Sequence, residues 1–178
     1  MSADRISLRD GRSVAVRRAG MADAAAMQDF VRRLSSRTRT ERFFSPINEL
    51  SRSQLERVLG GSGLRLAAFD DAGALVAHAQ YAPDEGRSAE FGIVLADAWQ
   101  AGGLGGRLLA QLIDHARRAG IAELRGVTLT GNGRMRRLAL RLGFAIKQDE
   151  DPQLVRMERS LRARISSAGA DGGFSIAR

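Results

Sequence analysis

The sequence predicts a mixed α/β (α+β) domain, one sheet with helices on both faces. Three observations predict it: alternating apolar strands near both ends of the chain, apolar stripes at three- and four-residue steps between them, and a glycine cluster joining a strand to the longest stripe. With 178 residues the chain reads as one domain, long enough for a sizeable core.

Residues 1–11 are polar and read as an N-terminal arm ahead of a domain over 12–163. Ser13 to Arg18 sets Val14 and Val16 on one face, a half-buried strand. From Asp23, Met27, Phe30, Val31 and Leu34 mark a helix. A second short helix is expected in SSRTRTERFFSP, ended before Pro46 because the residue before proline avoids the helical region. Ser51 or Ser53 caps a third that runs to Leu59 and closes at Gly60-Gly61. Leu64 to Phe69 and Ala74 to Tyr81 flank Asp70-Asp71-Ala72-Gly73 as a hairpin. Glu90 to Leu95 is the next strand, followed by a helix burying Leu104, Leu108, Leu109, Leu112, Ile113 and Ala116 up to Gly120. Leu124 to Leu129 is a strand, Met135, Leu138 and Leu142 mark a helix, and Phe144 to Lys147 and Leu154 to Leu161 complete seven strands. Residues 164–178 lose periodicity and read as a tail.

Between Glu90 and Leu109 lies the stretch around which the rest is organised. Gly102, Gly103, Gly105 and Gly106 crowd the start of a helix, although glycine inside a helix costs ~1 kcal/mol against alanine. Bare backbone at a helix N-terminus offers unpartnered N–H groups and the positive end of the dipole, which suits a pyrophosphate. The P-loop pattern is missing, and Gly103, Gly105 and Leu108 fail the dinucleotide spacing G-x-G-x-x-G. A glycine-softened turn is the plain alternative.

Composition removes other classes. There is no cysteine, which excludes disulfides and thiolate chemistry. No apolar run resembles a signal peptide or approaches the ~18 residues of a membrane span, so a soluble cytoplasmic protein is expected. Net charge is +8, and of 28 basic residues only Lys147 is lysine. That field favours phosphates, an acidic protein surface or nucleic acid without choosing among them. His78 and His115 belong to no metal-binding motif, so no metal is expected.

The pattern Q-x-x-G-x-G at Gln100, Gly103 and Gly105, after a strand and before an amphipathic helix, resembles the acyl-CoA motif of the GNAT superfamily of N-acetyltransferases. Asn132 opening a helix, with Gly143-Phe144 eleven residues later, resembles that superfamily's second motif. The resemblance implies a GNAT-type mixed, mostly antiparallel seven-stranded sheet. It also implies acetyl-CoA as acyl donor, its pantetheine arm on the edge of Ile93, Val94 and Leu95. Its pyrophosphate would lie on the amides of Gln100, Ala101, Gly102, Gly103, Leu104, Gly105 and Gly106, with Asn132 nearby.

The segments FVRRLSSRTRTERFFSPINELS from Phe30 and AEFGIVLADAWQ from Ala89 are similar to the acetyltransferase domain of bacterial protein lysine acetyltransferases that modify acyl-CoA synthetases. The resemblance covers about residues 10–160, without the synthetase-like or nucleotide-sensing regions such domains accompany. It implies a protein lysine as acceptor, possible only if a base removes the ammonium proton, and Glu90 stands where those enzymes carry a catalytic glutamate. A strand-edge carboxylate paired with Arg87 or another arginine is the plain alternative. A backbone N–H near Val94 would polarise the thioester carbonyl. Many relatives carry a tyrosine where this chain has Ala139, leaving solvent, or Tyr81 reaching in, to protonate the thiolate. His78 is an alternative base or a structural histidine, His115 reads as solvated, and Trp99 as a residue that seats the loop. The arginines of residues 32–42 are either a substrate-docking face or an ordinary solvated one. A monomer or homodimer is expected. The rivals are an N-acetyltransferase for a polyamine, amino acid or antibiotic, and a non-catalytic acyl-CoA- or nucleic-acid-binding module. Few interleaved aromatics argue against nucleic acid.

Overall fold

The computed structural model describes residues 4–84 and 86–162. One sheet organises them: β1 (Asp4–Ser7), β2 (Ser13–Arg18), β3 (Leu64–Phe69), β4 (Leu75–Pro83), β5 (Ser88–Leu95), β6 (Glu123–Leu129), β7 (Ala145–Gln148) and β8 (Leu154–Ser160), in the spatial order β1-β2-β3-β4-β5-β6-β8-β7. Every neighbouring pair is antiparallel except β5 and β6, which run parallel. The sheet thus has eight strands, correcting the expected seven. The added strand, β1, lies inside the segment read as an arm. Ile6 and Leu8, two positions apart among polar residues, are both buried, and that short alternation carries it. The expected tail, 164–178, lies outside the described residues.

The helices divide between the two faces. On one, α4 (Leu104–Arg118) buries Leu104, Leu108, Leu109, Leu112, Ile113 and Ala116, and α5 (Gly133–Arg141) adds Ala139. Each fully buried leucine contributes ~1.5–3 kcal/mol by leaving water, so the stripe anchors α4 firmly. On the other face, α1 (Ala24–Arg33) and α3 (Arg52–Leu59) bury Met27, Phe30, Val31, Val58 and Leu59 against Ala67, Leu75 and Val94. Ser51 caps α3 in a reciprocal capping box with Gln54. On the same face as α1 and α3, α2 (Ser36–Phe43), capped by Ser35, lies along β5 and β6.

Candidate active site

β5 and β6 pair only at Ser88↔Glu123, Ala89↔Leu124 and Glu90↔Arg125. Beyond Glu90 the strands part: β5 stays bonded to β4 as far as Leu95, while β6 continues against β8 to Leu129. Phe91 sits at the divergence. Its ring covers Gly126, where a Cβ would come within 2.6 Å, and packs on Phe144 with centroids 5.0 Å apart. Gly143, at φ +76, ends α5 and delivers Phe144 to that contact. The Gly-Phe pair read from the sequence therefore braces the apex of the splay. From Phe91 to Leu95 the β5 edge facing β6 has no strand partner.

A 3₁₀ turn (Asp97–Trp99) leads from β5 into the glycine segment. Gln100 is held inside the protein: its backbone N–H donates to Asp97 O at 3.3 Å, and its side chain donates to Leu95 O at 3.3 Å and Thr38 Oγ1 at 3.2 Å and accepts from Arg134. Ala101 at φ +67 and Gly103 at φ +91 then turn the chain, and Gly103 caps α4 with no side chain. None of the amides from Ala101 to Gly106 has a hydrogen-bond acceptor among the described residues. A Cβ at Gly105 would meet Leu138, Leu95 and Ile93 only at ordinary contact distances, 3.5–3.8 Å, so protein packing does not demand glycine there. These features fit an anion: open amides, a helix dipole and no side chains over them. At Gly103 the positive φ gives the glycine a local reason as well.

Asn132 caps α5, its Oδ1 accepting from Met135 N at 3.0 Å. With Leu129, Thr130, Gly131 and Gln153 it lines an open hollow of about 640 Å³ that Ser36, Arg37, Thr40 and Glu41 of α2 also line. The hollow lies off the end of β6, where the splay is widest.

Glu90 is the last residue of β5 that pairs with β6, at the apex, and is exposed. It forms no ion pair among the described residues. Arg87 bonds Gly120 O at 3.0 and 3.1 Å, and the neighbouring Arg125 bonds Asp84 at 2.7 Å. The plain alternative of a paired strand-edge carboxylate finds no partner here.

The other candidates lie elsewhere. Tyr81 is buried beneath α4 with its hydroxyl 2.8 Å from His115 Nδ1, so it does not reach the splay. His115, expected to be solvated, is half-buried and bonded at both ring nitrogens, with Arg18 Nη2 3.1 Å from Nε2. Guanidinium only donates, so Nε2 accepts and Nδ1 carries the proton. Burial, then the Arg18 and Arg118 charges, lower the pKa of His115 and keep it neutral. His78 is buried on the α1–α3 face. Its pKa falls to about 3, chiefly by burial and then by the Arg42 and Arg65 charges, which removes it as a base working near neutrality. Trp99 seats the loop as expected, under the Arg12 guanidinium at 4.3 Å.

The 32–42 arginines split. Arg32 and Arg37 pair with Asp29, Glu49 and Glu41, as a solvated face does. Arg42 instead turns inward, its guanidinium so close over Gly92 that a Cβ there would lie 2.7 Å from Nη2. Sequence reading also passed over Asp97, which accepts from Ser35 N, Ser35 Oγ and Thr38 Oγ1 at 2.6–2.9 Å and ties the turn to α2. Only the fold brings these residues together. Among the described residues no cluster of His, Asp and Glu could hold a metal ion, and no helix is long and apolar enough to cross a membrane.

A mixed sheet parted beside a helix whose first amides are free defines a coenzyme-binding transferase fold. The profile of the acetyltransferase (GNAT) family matches residues 28–144, and the chain belongs to that family of acyltransferases, whose acyl donor is acetyl-CoA. It is 35% identical over 153 residues to Acetyltransferase PA5475 of Pseudomonas aeruginosa, covering 82% of each chain. The GNAT domain of S. lividans PAT superposes with TM-score 0.81 at 26% identity, over 89% of this chain and 96% of that one. A GNAT superfamily phosphinothricin acetyltransferase from Sinorhizobium meliloti, solved with AcCoA, superposes with TM-score 0.69 over 89% and 94%. At 17% identity it speaks to the fold alone.

Proposed function

We propose that this chain is a cytoplasmic N-acetyltransferase that passes an acetyl group from acetyl-CoA to a primary amine, a protein lysine foremost, by direct attack in a ternary complex. One observation carries the reading: an unpaired carboxylate, Glu90, at the apex of a splayed strand pair whose free β5 edge leads to acceptor-free amides. The amides of Ala101 to Gly106 receive the pyrophosphate, and the free edge of Ile93 to Leu95 receives the pantetheine arm as an added strand would. The coenzyme supplies the activated thioester. Lysine's amine, with a free pKa of ~10.4, is protonated near neutrality. Glu90 takes its proton, directly or through a water, a service worth ~10²–10⁴ in rate. A backbone N–H near Val94 steadies the carbonyl oxygen. Solvent reprotonates the thiolate, since Ala139 is buried and Tyr81 is engaged with His115.

Protein lysine is favoured by the similarity of the Phe30–Ser51 and Ala89–Gln100 stretches to protein lysine acetyltransferases. The exposure of Glu90 leaves room for a small amine as the second reading. Acetyl transfer by wild type and Glu90→Ala onto a panel of acyl-CoA synthetases and free amines tests the proposal. The variant is expected to bind acetyl-CoA normally and to lose ~10²–10⁴ of the rate at neutral pH. Equal rates would remove Glu90 from the mechanism.

A further inference from the structure

The face of the sheet that carries Glu90 holds a row of polar atoms with nothing to bind. Strand register aligns Arg65, Gln80 and Gly92 across β3, β4 and β5, and Arg42 covers Gly92 from α2. Arg42 Nε, Arg65 Nε, Gln80 Oε1 and, one step along β4, His78 Nε2 are all buried without a hydrogen-bond partner among the described residues. Buried polar groups are otherwise almost always satisfied, and a desolvated cation without a counter-ion is costly. Arg65 has a structural task, donating to Gly61 O at 3.1 Å and Ser62 O at 2.6 Å. Arg42 has none: it makes no hydrogen bond or ion pair among the described residues. Burial pulls its pKa below the ordinary arginine value, and the Glu90 charge only partly restores it.

The guanidinium is therefore a planar fork of donors without an acceptor, a geometry suited to a carboxylate. Gly92 follows Glu90 by two residues on the same face, so the fork sits ~7 Å along the strand from the proposed base. An amine delivered to Glu90 places the neighbouring part of its molecule against Arg42. We propose that Arg42, assisted by Gln80, binds a carboxylate carried by the acceptor, making the enzyme selective for amines with a carboxylate close by. This rests on the acetyltransferase reading, with Glu90 beside the amine. Gln80 joins the site by presenting its amide N–H once the side chain turns about, which its partnerless Oε1 permits. Gly92 is glycine because the guanidinium occupies the space of a side chain.

The test compares acceptors differing only in a carboxylate: free α-amino acids against their carboxamides, and lysine peptides with a Glu against a Gln neighbour. Wild type should prefer the carboxylate member by ~10-fold or more in kcat/KM, mainly through KM, in at least one series. Preference among amino acids assigns an α-carboxylate, and preference among peptides assigns an acidic residue flanking the lysine. Arg42→Gln should erase the preference, costing the carboxylate members at least ~10-fold more in kcat/KM than the neutral ones. Gly92→Ala, which crowds the guanidinium without removing it, should weaken the preference with an unaltered thermal melt. No preference in either series, or an equal loss on both members in Arg42→Gln, would overturn the inference. A titration of wild type with acetate, following the Arg42 Nε–Hε resonance, decides it without catalysis: a saturable shift is expected, and none would overturn it. Peptide acetylation without carboxylate preference defeats this inference alone. If only free amino acids react, through Arg42, the lysine assignment fails and the inference stands.

Discussion

The two faces of the sheet each carry one histidine and treat it in opposite ways. On the α4 face His115 joins Tyr81 and Arg18 in a chain with both ring nitrogens engaged. On the α1–α3 face His78 is more deeply buried, yet its Nε2 has no partner, and Arg42, Arg65 and Gln80 around it also keep unmatched atoms. The one other such atom among the described residues is Arg136 Nε on α5. A satisfied buried network holds structure together, whereas an unsatisfied one marks where something else completes it. The contrast separates a histidine satisfied within the protein from one set among groups that, on the proposal above, an acceptor completes.

Paired substitutions of the histidines should break that contrast most visibly. His78 is folded with its pKa near 3, below the ~6.5 of an unfolded histidine. Its folded pKa is depressed, so its contribution is fully present above pH ~6.5 and lost as pH falls toward 3, at up to ~1.4 kcal/mol per pH unit. His78→Leu should therefore match wild type at neutrality and outlast it in acid, by ~3 kcal/mol near pH 4 in denaturant melts. His115→Leu should instead lose ~1–3 kcal/mol already at neutral pH, because the buried Tyr81 hydroxyl is left without its partner, and that deficit should shrink as pH falls because the His115 pKa is lowered too. Identical pH profiles for wild type and His78→Leu would contradict the comparison.

A smaller effect is expected where the faces are joined. Buried Thr38 donates to Asp97 at 2.7 Å and accepts from Gln100 at 3.2 Å, linking α2 to the turn before α4. Hydrogen bonds from Ser35 and Thr38 outweigh the opposing effect of burial and hold the Asp97 pKa below the ordinary carboxylate value. Thr38→Val should cost ~0.5–1.5 kcal/mol in thermal melts and raise the KM for both substrates a few-fold. An effect on the acceptor alone would show that Thr38 does not bridge the two sides.

Much of this was legible in the sequence. The α4 stripe, the Asp70–Gly73 hairpin and the two glycine-bearing motifs are local patterns, and local patterns survive into the fold. β1 was missed because two apolar residues in a polar arm are too short a signal until β2 pairs with them. The inward turn of Arg42 could not be read among its outward-facing neighbours, although Gly92, a glycine inside a strand, was a hint that something approaches closely. Asp97, Thr38 and Gln100 meet over some sixty positions of sequence, a distance at which no periodicity speaks.

The most direct measurement is a titration of ¹⁵N-labelled protein with acetyl-CoA, followed at the backbone amides. The account predicts the largest shifts at Ile93 to Leu95 and Ala101 to Gly106, with little change along Arg65, Ala67 and His78 on the acceptor face. Shifts concentrated on that second row, with the glycine amides silent, would contradict it.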